Sequence, residues 1–187
     1  MTTLLGIDRL LQSSDEMIRL QKARVALVAN PASLTSDQRH SVDALVDAGC
    51  NLVRAFGPQH GMRGDKQDNM IESADYVDPI HGIPVLSLYG TTRRPTQEML
   101  DGVDIVLFDL QDVGCRIYTY ISTLKYFIEA CTEFGIELWV LDRPNPAGRP
   151  VDGLRLEPGH ESFVGCDVLP TRHGLTAAEL ARWMIAR

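Results

Sequence analysis

Short apolar runs punctuate the chain: Val25 to Ala29, Leu52 to Phe56, Val85 to Leu88, Ile105 to Phe108 and Leu138 to Leu141. Each has the length of a strand. Most are hydrophobic at every position instead of every second one, which is the pattern of parallel strands covered by helices on both faces. Helical signals fill the intervals. Thr35-Ser-Asp-Gln38 has the form of a capping box and leads into Val42, Leu45 and Val46 before Gly49, predicting a helix between the first two strands. Ile117, Ile121, Leu124, Ile128 and Cys131 recur in steps of four, three, four and three and stop at Gly135, predicting a helix between the fourth and fifth strands. A second capping box, Thr176-Ala-Ala-Glu179, opens a helix that runs to the last residue, with Leu180, Trp183 and Met184 as its expected buried face. Strands alternating with helices imply right-handed crossovers. The expected fold class is therefore α/β: a Rossmann-like, doubly wound, mainly parallel sheet flanked by helices.

Length and composition narrow this picture. A chain of 187 residues suffices for a single core, so residues 1–187 are expected to form one domain. Hydrophobic residues at 44% and charged residues at 23% are ordinary globular values. No stretch approaches the ~20 apolar residues needed to span a bilayer, so no membrane partner is expected. The net charge of −7 opposes phosphate binding, and no Lys/Arg cluster is interleaved with aromatics, which argues against nucleic acid. Cys50, Cys115, Cys131 and Cys166 lie far apart without a C-x-x-C and read as reduced. The N-terminus has neither a basic region nor a long apolar one, so a cytoplasmic location is expected. The oligomeric state leaves no signal in the sequence.

In open α/β sheets the ligand crevice lies outside the carboxyl ends of the strands, and here those ends are unusually polar. Strand one ends at Asn30-Pro31, and strand two runs into Phe56-Gly-Pro-Gln-His-Gly-Met-Arg-Gly64. Strand three gives Tyr89 and Gly90, strand four Asp109-Leu-Gln-Asp-Val-Gly-Cys-Arg116, and strand five Asp142-Arg-Pro-Asn-Pro146. The turn after strand one contains no glycine, so a nucleotide cofactor is not expected, and the sequence implies no other cofactor. Gly57, Gly61 and Gly64 have the look of a phosphate cradle, but Pro58, Gln59, His60, Met62 and Arg63 fit better a turn that exposes side chains. Asp109, Asp112 and Asp142 place two or three carboxylates near one pocket, as acid/base or glycosidase chemistry requires. The structural alternative is that Asp112 caps the following helix and Asp142 pairs with a nearby Arg. A metal held by His60, Asp65, Asp112 and His173 is a further alternative, although no local ligand spacing supports it. His173 directly precedes a helix N-terminus, while His40, His81 and His160 are expected at the surface. The segment from Gly57 to Pro84 is long and polar, as functional loops tend to be.

Taken together, Phe56 to Gly64, Ser87-Leu-Tyr-Gly90 with Arg94-Pro-Thr96, Asp109 to Tyr120, Asp142 to Pro146 and Arg172-His-Gly-Leu-Thr176 resemble the NamZ (YbbC-like) family of exo-β-N-acetylmuramidases. The resemblance implies a glycosidase that removes terminal N-acetylmuramic acid from the non-reducing ends of peptidoglycan fragments, on a Rossmann-like catalytic domain. A muropeptide or another sugar containing N-acetylmuramic acid is the implied partner. Family members are longer, so a second, smaller α/β domain is expected to lie outside residues 1–187. Asp112 and Asp142 are the expected cleft carboxylates, with His60 as acid/base partner. Arg63 and Arg116 suit a lactyl carboxylate, because a guanidinium fork binds carboxylates in a bidentate way. Asn30, Gln59, Gln111 and Asn145 are expected to bond hydroxyl and acetamido groups, Tyr89 or Tyr118 to stack on the sugar, and Asp152 and His173 to line the cleft.

Two positions depart from the family pattern. Many members carry Glu, a candidate general acid, where Gln59 stands, and an amide cannot donate a proton as a carboxylic acid does. The family's V-E-G appears here as Val151-Asp-Gly153, shortening the carboxylate's reach by one methylene. Two alternatives to a glycosidase therefore stand beside it: a catalytically impaired sugar-binding homologue, and a metal-dependent hydrolase of another class.

Overall fold

The computed structural model describes residues 4–58, 61–64 and 74–187. Two helices that the strand pattern does not predict, α1 (Gly6–Gln12) and α2 (Ser14–Lys22), lead into β1 (Val25–Ala29). Next, α3 (Ser41–Asp47) carries the chain to β2 (Leu52–Gly57), a short β3 (Tyr76–Val77) and β4 (Pro84–Ser87). After α4 (Gln97–Leu100) comes β5 (Ile105–Asp109), and α5 (Tyr120–Phe134) connects it to β6 (Glu137–Val140). Two outlying strands, β7 (Asp152–Arg155) and β8 (Pro170–Arg172), precede the last helix, α6 (Ala177–Ile185).

Six strands form one sheet in the order β3-β4-β2-β1-β5-β6, with only β3 antiparallel. All five predicted runs are in it. The continuous hydrophobicity has a direct cause: successive strand residues point to opposite faces, and both faces are covered. Val25, Leu27 and Ala29 of β1 join Ile105 and Leu107 in a core completed by Ile7, Leu10, Met17 and Leu20 of the first two helices. Ala26 and Val28 join Val106 and Phe108 on the opposite face, under Ile121, Leu124 and Phe127 of α5 and Leu180 of α6. Phe127 anchors that face by meeting Phe56 and Phe108 edge-on, with ring centroids 5.3 and 6.2 Å apart.

The helix boundaries differ from the sequence pattern where side chains compete for the backbone. Thr35 does not open a helix. Its Oγ1 accepts from Arg39 N within a tight turn that places Gln38 at φ 66°, and α3 starts only after His40, whose Nδ1 accepts from Val42 N. Similarly, α5 begins at Tyr120 and not at Ile117, because Cys115 pairs as a β-bridge with Arg172 and leaves Ile117 exposed. It ends as predicted at Gly135, in the left-handed conformation at φ 68°.

The capping box of α6 is present in full, with Thr176 accepting from Glu179 N and Glu179 accepting from Thr176 N. The Thr176 hydroxyl also donates to Asp142 Oδ2 at 2.9 Å. Thr176→Ala should therefore cost about 1–2 kcal/mol in chemical denaturation, at the upper end for a lost cap, whereas Thr176→Ser should retain most of the stability. Equal loss in both variants would mean that the methyl packing, not the hydroxyl, matters.

Candidate active site

The chain leaves β1 toward β2 on one side and leaves β5 toward β6 on the other, so the loops after β1 and β5 diverge and open a crevice at their carboxyl ends. Asn30 lies 5% exposed at that point. Its Nδ2 donates to the Tyr120 hydroxyl at 3.0 Å, and its Oδ1 accepts from Ala32 N and Ser33 Oγ. Asn30 thus ties the end of β1 to the start of α5.

Beneath it lies a buried ion pair. Arg143 grips Asp109 with Nε to Oδ1 at 2.7 Å and Nη2 to Oδ2 at 2.9 Å, while Ser41 Oγ donates to the same carboxylate. Arg143 also donates to Leu34 O at 2.8 Å, which links the loops after β1, β5 and β6. Burial pushes the Asp109 carboxyl up, opposed by Arg143 and Ser41. The pair is a brace, fully enclosed, with Asp109 at 0% exposure.

Asp112, one turn further on, is in a different position. Its Oδ2 accepts from Gly114 N at 2.8 Å and lies 3.1 Å from His173 Nε2, off the line of a hydrogen bond; its Oδ1 has no hydrogen-bond partner among the described residues. His173 Nδ1 accepts from Leu175 N, so the proton of the neutral ring sits on Nε2, beside Asp112. Residues 114–116 run alongside β8, with Arg116 N donating to Thr171 O and His173 N to Gly114 O, and this pairing brings His173 to the site. Gly114 permits the approach: at φ 77° it adopts a backbone that side chains rarely tolerate, and a Cβ there would lie 2.3 Å from Asn145 Oδ1. Tyr118 closes the cluster, its ring 4.6 Å from that of Tyr120. Burial, then the neighbouring Tyr120 and Asp112, push its phenol up, so it remains a proton donor.

Buried polar groups left unsatisfied cost roughly 1–3 kcal/mol each, and proteins keep few of them without a function. Asp112 Oδ1 and His173 Nε2 form such a pair at the topological switch point. Together they can hold, orient or exchange a proton with a ligand that reaches Oδ1.

The other carboxylate expected in the cleft is engaged. Asp142 Oδ1 accepts from Ala178 N and Oδ2 from Thr176 Oγ1, so it caps α6 instead of pairing with an Arg. Arg63 is engaged too, with Nε donating to Asp78 Oδ1 at 2.6 Å and Nη2 to Asp43 Oδ1 at 2.7 Å. His81 shares Asp43 at 2.7 Å, and the Arg63 hydrogen bonds chiefly hold the Asp43 carboxyl down at about 2. This cluster fastens the end of the 61–64 loop to α3 and to the turn before β4. Gln59, His60 and Asp65 lie outside the described residues.

Arg116 donates through Nη1 to Leu154 O and Leu169 O, tying the outer β7–β8 sheet to the site. Gln111 Nε2 donates to Asp112 O and Pro144 O, and Asn145 Nδ2 to Leu175 O, so each fixes a loop. Tyr89 is half-buried beyond β4, with Arg93 over its ring, and Asp152 is exposed on β7. Sequence reasoning missed Ser33, Ser41, Tyr120 and the Arg143–Asp109 brace. Only Asp109 at the end of β5 and Arg143 just after β6 hinted at the last of these.

His40 and His81 are half-buried and bonded, not surface residues. His40 Nε2 meets Asn30 O at 3.0 Å and Met62 O at 3.2 Å, joining the two loops flanking β1 and β2, and burial chiefly pulls its pKa down. A base with a depressed folded pKa contributes stability above its unfolded value, near 6.5, that is lost as the pH falls below it. Thermal midpoints should therefore decline in the native protein as the pH falls below about 6.5, and this decline should flatten in His40→Asn, which keeps an N-cap acceptor. An unchanged decline in His40→Asn would assign the effect to another group.

Residues 25–187 match the family model for the N-terminal part of exo-beta-N-acetylmuramidase NamZ. Over 178 residues the chain is 48% identical to the peptidoglycan beta-N-acetylmuramidase NamZ of Bacillus subtilis (strain 168), covering 94% of this chain and 42% of that protein. Crystal structures of two DUF1343 family proteins from Bacteroides fragilis NCTC 9343 superpose with TM-scores of 0.84 and 0.80, at 41% and 33% identity. Each covers 96% of this chain, which accounts for 44% and 45% of theirs. The chain thus spans less than half the length of these relatives. With most of its length under the family model and nearly half its residues shared with a curated member, the chain belongs to the NamZ exo-β-N-acetylmuramidase family, within that family's N-terminal region.

Proposed function

We propose that this chain works in a glycoside hydrolase that releases terminal N-acetylmuramic acid from peptidoglycan fragments, with Asp112 as the carboxylate that meets the reacting sugar. The observation that carries this reading is the buried Asp112 Oδ1 beside His173 Nε2, both without a hydrogen-bond partner among the described residues, at the switch point of a NamZ-family chain. Glycoside cleavage passes through an oxocarbenium-like transition state, so a carboxylate oxygen with no hydrogen-bond partner among the described residues is available to the positive charge that develops on the sugar. His173, accepting from Leu175 N at Nδ1, keeps a protonated Nε2 3.1 Å from Asp112 Oδ2. Tyr118 supplies a protonated hydroxyl close by. Asp109 and Asp142 position the loops and do not compete for this role.

The test is incubation of the protein with 4-nitrophenyl N-acetyl-β-muramide, alongside calorimetry with N-acetylmuramic acid. Release of nitrophenolate supports the reading, and absence of both turnover and binding overturns it. Binding without turnover favours the sugar-binding alternative raised by Gln59, and recovery of turnover in Gln59→Glu would then assign the deficit to that position.

A further inference from the structure

An anionic sugar requires a cation, and of the two arginines that the sequence offers for that task, Arg63 is taken up by Asp43 and Asp78, while Arg116 gives Nη1 to the carbonyls of Leu154 and Leu169 and keeps a buried Nε with no hydrogen-bond partner among the described residues. A third, Arg93, is held in a different way. Its guanidinium carbon lies 4.7 Å from the ring centroid of Phe163 and 5.5 Å from that of Tyr89. No carboxylate or carbonyl bonds to it among the described residues, although the neighbouring Arg94 pairs with Glu133 and Glu129 of α5.

The support around Arg93 is built in layers. Thr92 Oγ1 donates to Arg94 O and accepts from Arg94 N, closing a turn with Arg93 at its middle. Phe163 stacks on Tyr126 at an interplanar angle of 15°, its carbonyl accepts from Ser122 Oγ, and two hydrogen bonds between Ser162 and Gly165 close its loop. Tyr89 is tied to the end of β4 through Ser87 Oγ. Tyr89 and Ser122 belong to the carboxyl end of β4 and the first turn of α5, so the group stands on the crevice side of the sheet. Aromatic faces restrain a guanidinium without consuming its N–H edge, which stays able to grip a carboxylate in a bidentate way. In a chain of net charge −7, such a restrained and unpaired cation is also a local attractor for anions.

We propose that Arg93, stacked against Tyr89 and Phe163, binds a carboxylate of the substrate and thereby selects an acidic sugar over its neutral counterpart. This inference rests on the proposed function, because the lactyl carboxylate is what distinguishes N-acetylmuramic acid from N-acetylglucosamine. A carboxylate on a peptide attached through the lactyl group has the same chemistry. Three probes separate the sources: N-acetylglucosamine with no carboxylate, N-acetylmuramic acid with the lactyl carboxylate, and an N-acetylmuramoyl dipeptide, whose carboxylates lie only on the peptide.

The native protein should bind at least one acid roughly tenfold or more tightly than N-acetylglucosamine, as a charge-assisted fork provides. Arg93→Met, which retains the stacking bulk and breaks no hydrogen bond of the fold, should erase that preference while leaving the thermal midpoint and N-acetylglucosamine binding unchanged. Arg93→Lys should retain only part of it. Loss confined to N-acetylmuramic acid identifies the lactyl group, and loss confined to the dipeptide identifies the peptide. A preference that persists in Arg93→Met, or native binding of all three probes without preference, overturns this inference and leaves the proposed function standing. Native binding of none of the probes overturns this inference, and if no nitrophenolate is released either, the proposed function falls with it.

Discussion

Asp112→Asn is expected to lower turnover of 4-nitrophenyl N-acetyl-β-muramide by roughly 10²- to 10⁴-fold, the range for removing a group that acts directly in acid/base or charge-stabilising chemistry. The substitution is nearly isosteric. An Asn side-chain oxygen still accepts from Gly114 N, so the turn that carries residues 112–114 survives, and the thermal midpoint should move little. What disappears is the negative charge at Oδ1, the one oxygen of Asp109, Asp112 and Asp142 with no protein partner among the described residues. A fall in kcat with KM nearly constant would locate the effect in the transition state. Asp142→Asn is the contrasting variant: it weakens the cap of α6 and should register first in stability. If Asp112→Asn retained native kcat, Asp112 would be removed from the chemistry and the carboxylate would have to be sought elsewhere.

Arg143→Met should have the largest effect on stability, about 3–5 kcal/mol in denaturant unfolding, because it leaves the Asp109 carboxylate buried without its counter-charge. The deficit should shrink as the pH is lowered, since a protonated Asp109 no longer needs a cation. The double variant Asp109→Leu/Arg143→Met should recover much of the loss, and a double-mutant cycle would report the coupling directly. Additive losses in the cycle would mean that the two side chains do not act as a pair. The brace also sets the spacing of the loops after β1, β5 and β6, because Arg143 reaches Leu34 O as well. Single variants should therefore weaken activity in addition to stability.

The contrast between Asp109 and Asp112 shows why a list of polar residues at strand ends falls short of a site. Asp109 ends β5 and Asp112 follows it, and both are nearly inaccessible, at 0% and 5% exposure. Asp109 meets an arginine from the next loop and becomes structural. Asp112 meets a histidine delivered by a β-bridge from a distant segment and keeps an oxygen unpaired. Nothing in the local sequence distinguishes the two outcomes. The same holds for arginine. The motif-borne Arg63 spends its donors on Asp43 and Asp78 and Arg116 commits its Nη1 to two carbonyls, whereas Arg93, singled out by no pattern, rests on Tyr89 and Phe163.

Five of the six strands of the central sheet, and their burial on both faces, could be read from sequence, because a strand covered on two sides must be apolar at consecutive positions. The sequence by itself also determined the last helix, through a cap whose hydrogen bonds are local, and the family, through motifs at the strand ends. Tertiary structure alone decided where α3 and α5 begin, since Thr35 and Cys115 take partners that compete with the helix, and it produced the β7–β8 sheet that delivers His173. It also decided which charged side chains remain free. That choice depends on which partner arrives from elsewhere in the chain, a long-range property that no local spacing encodes.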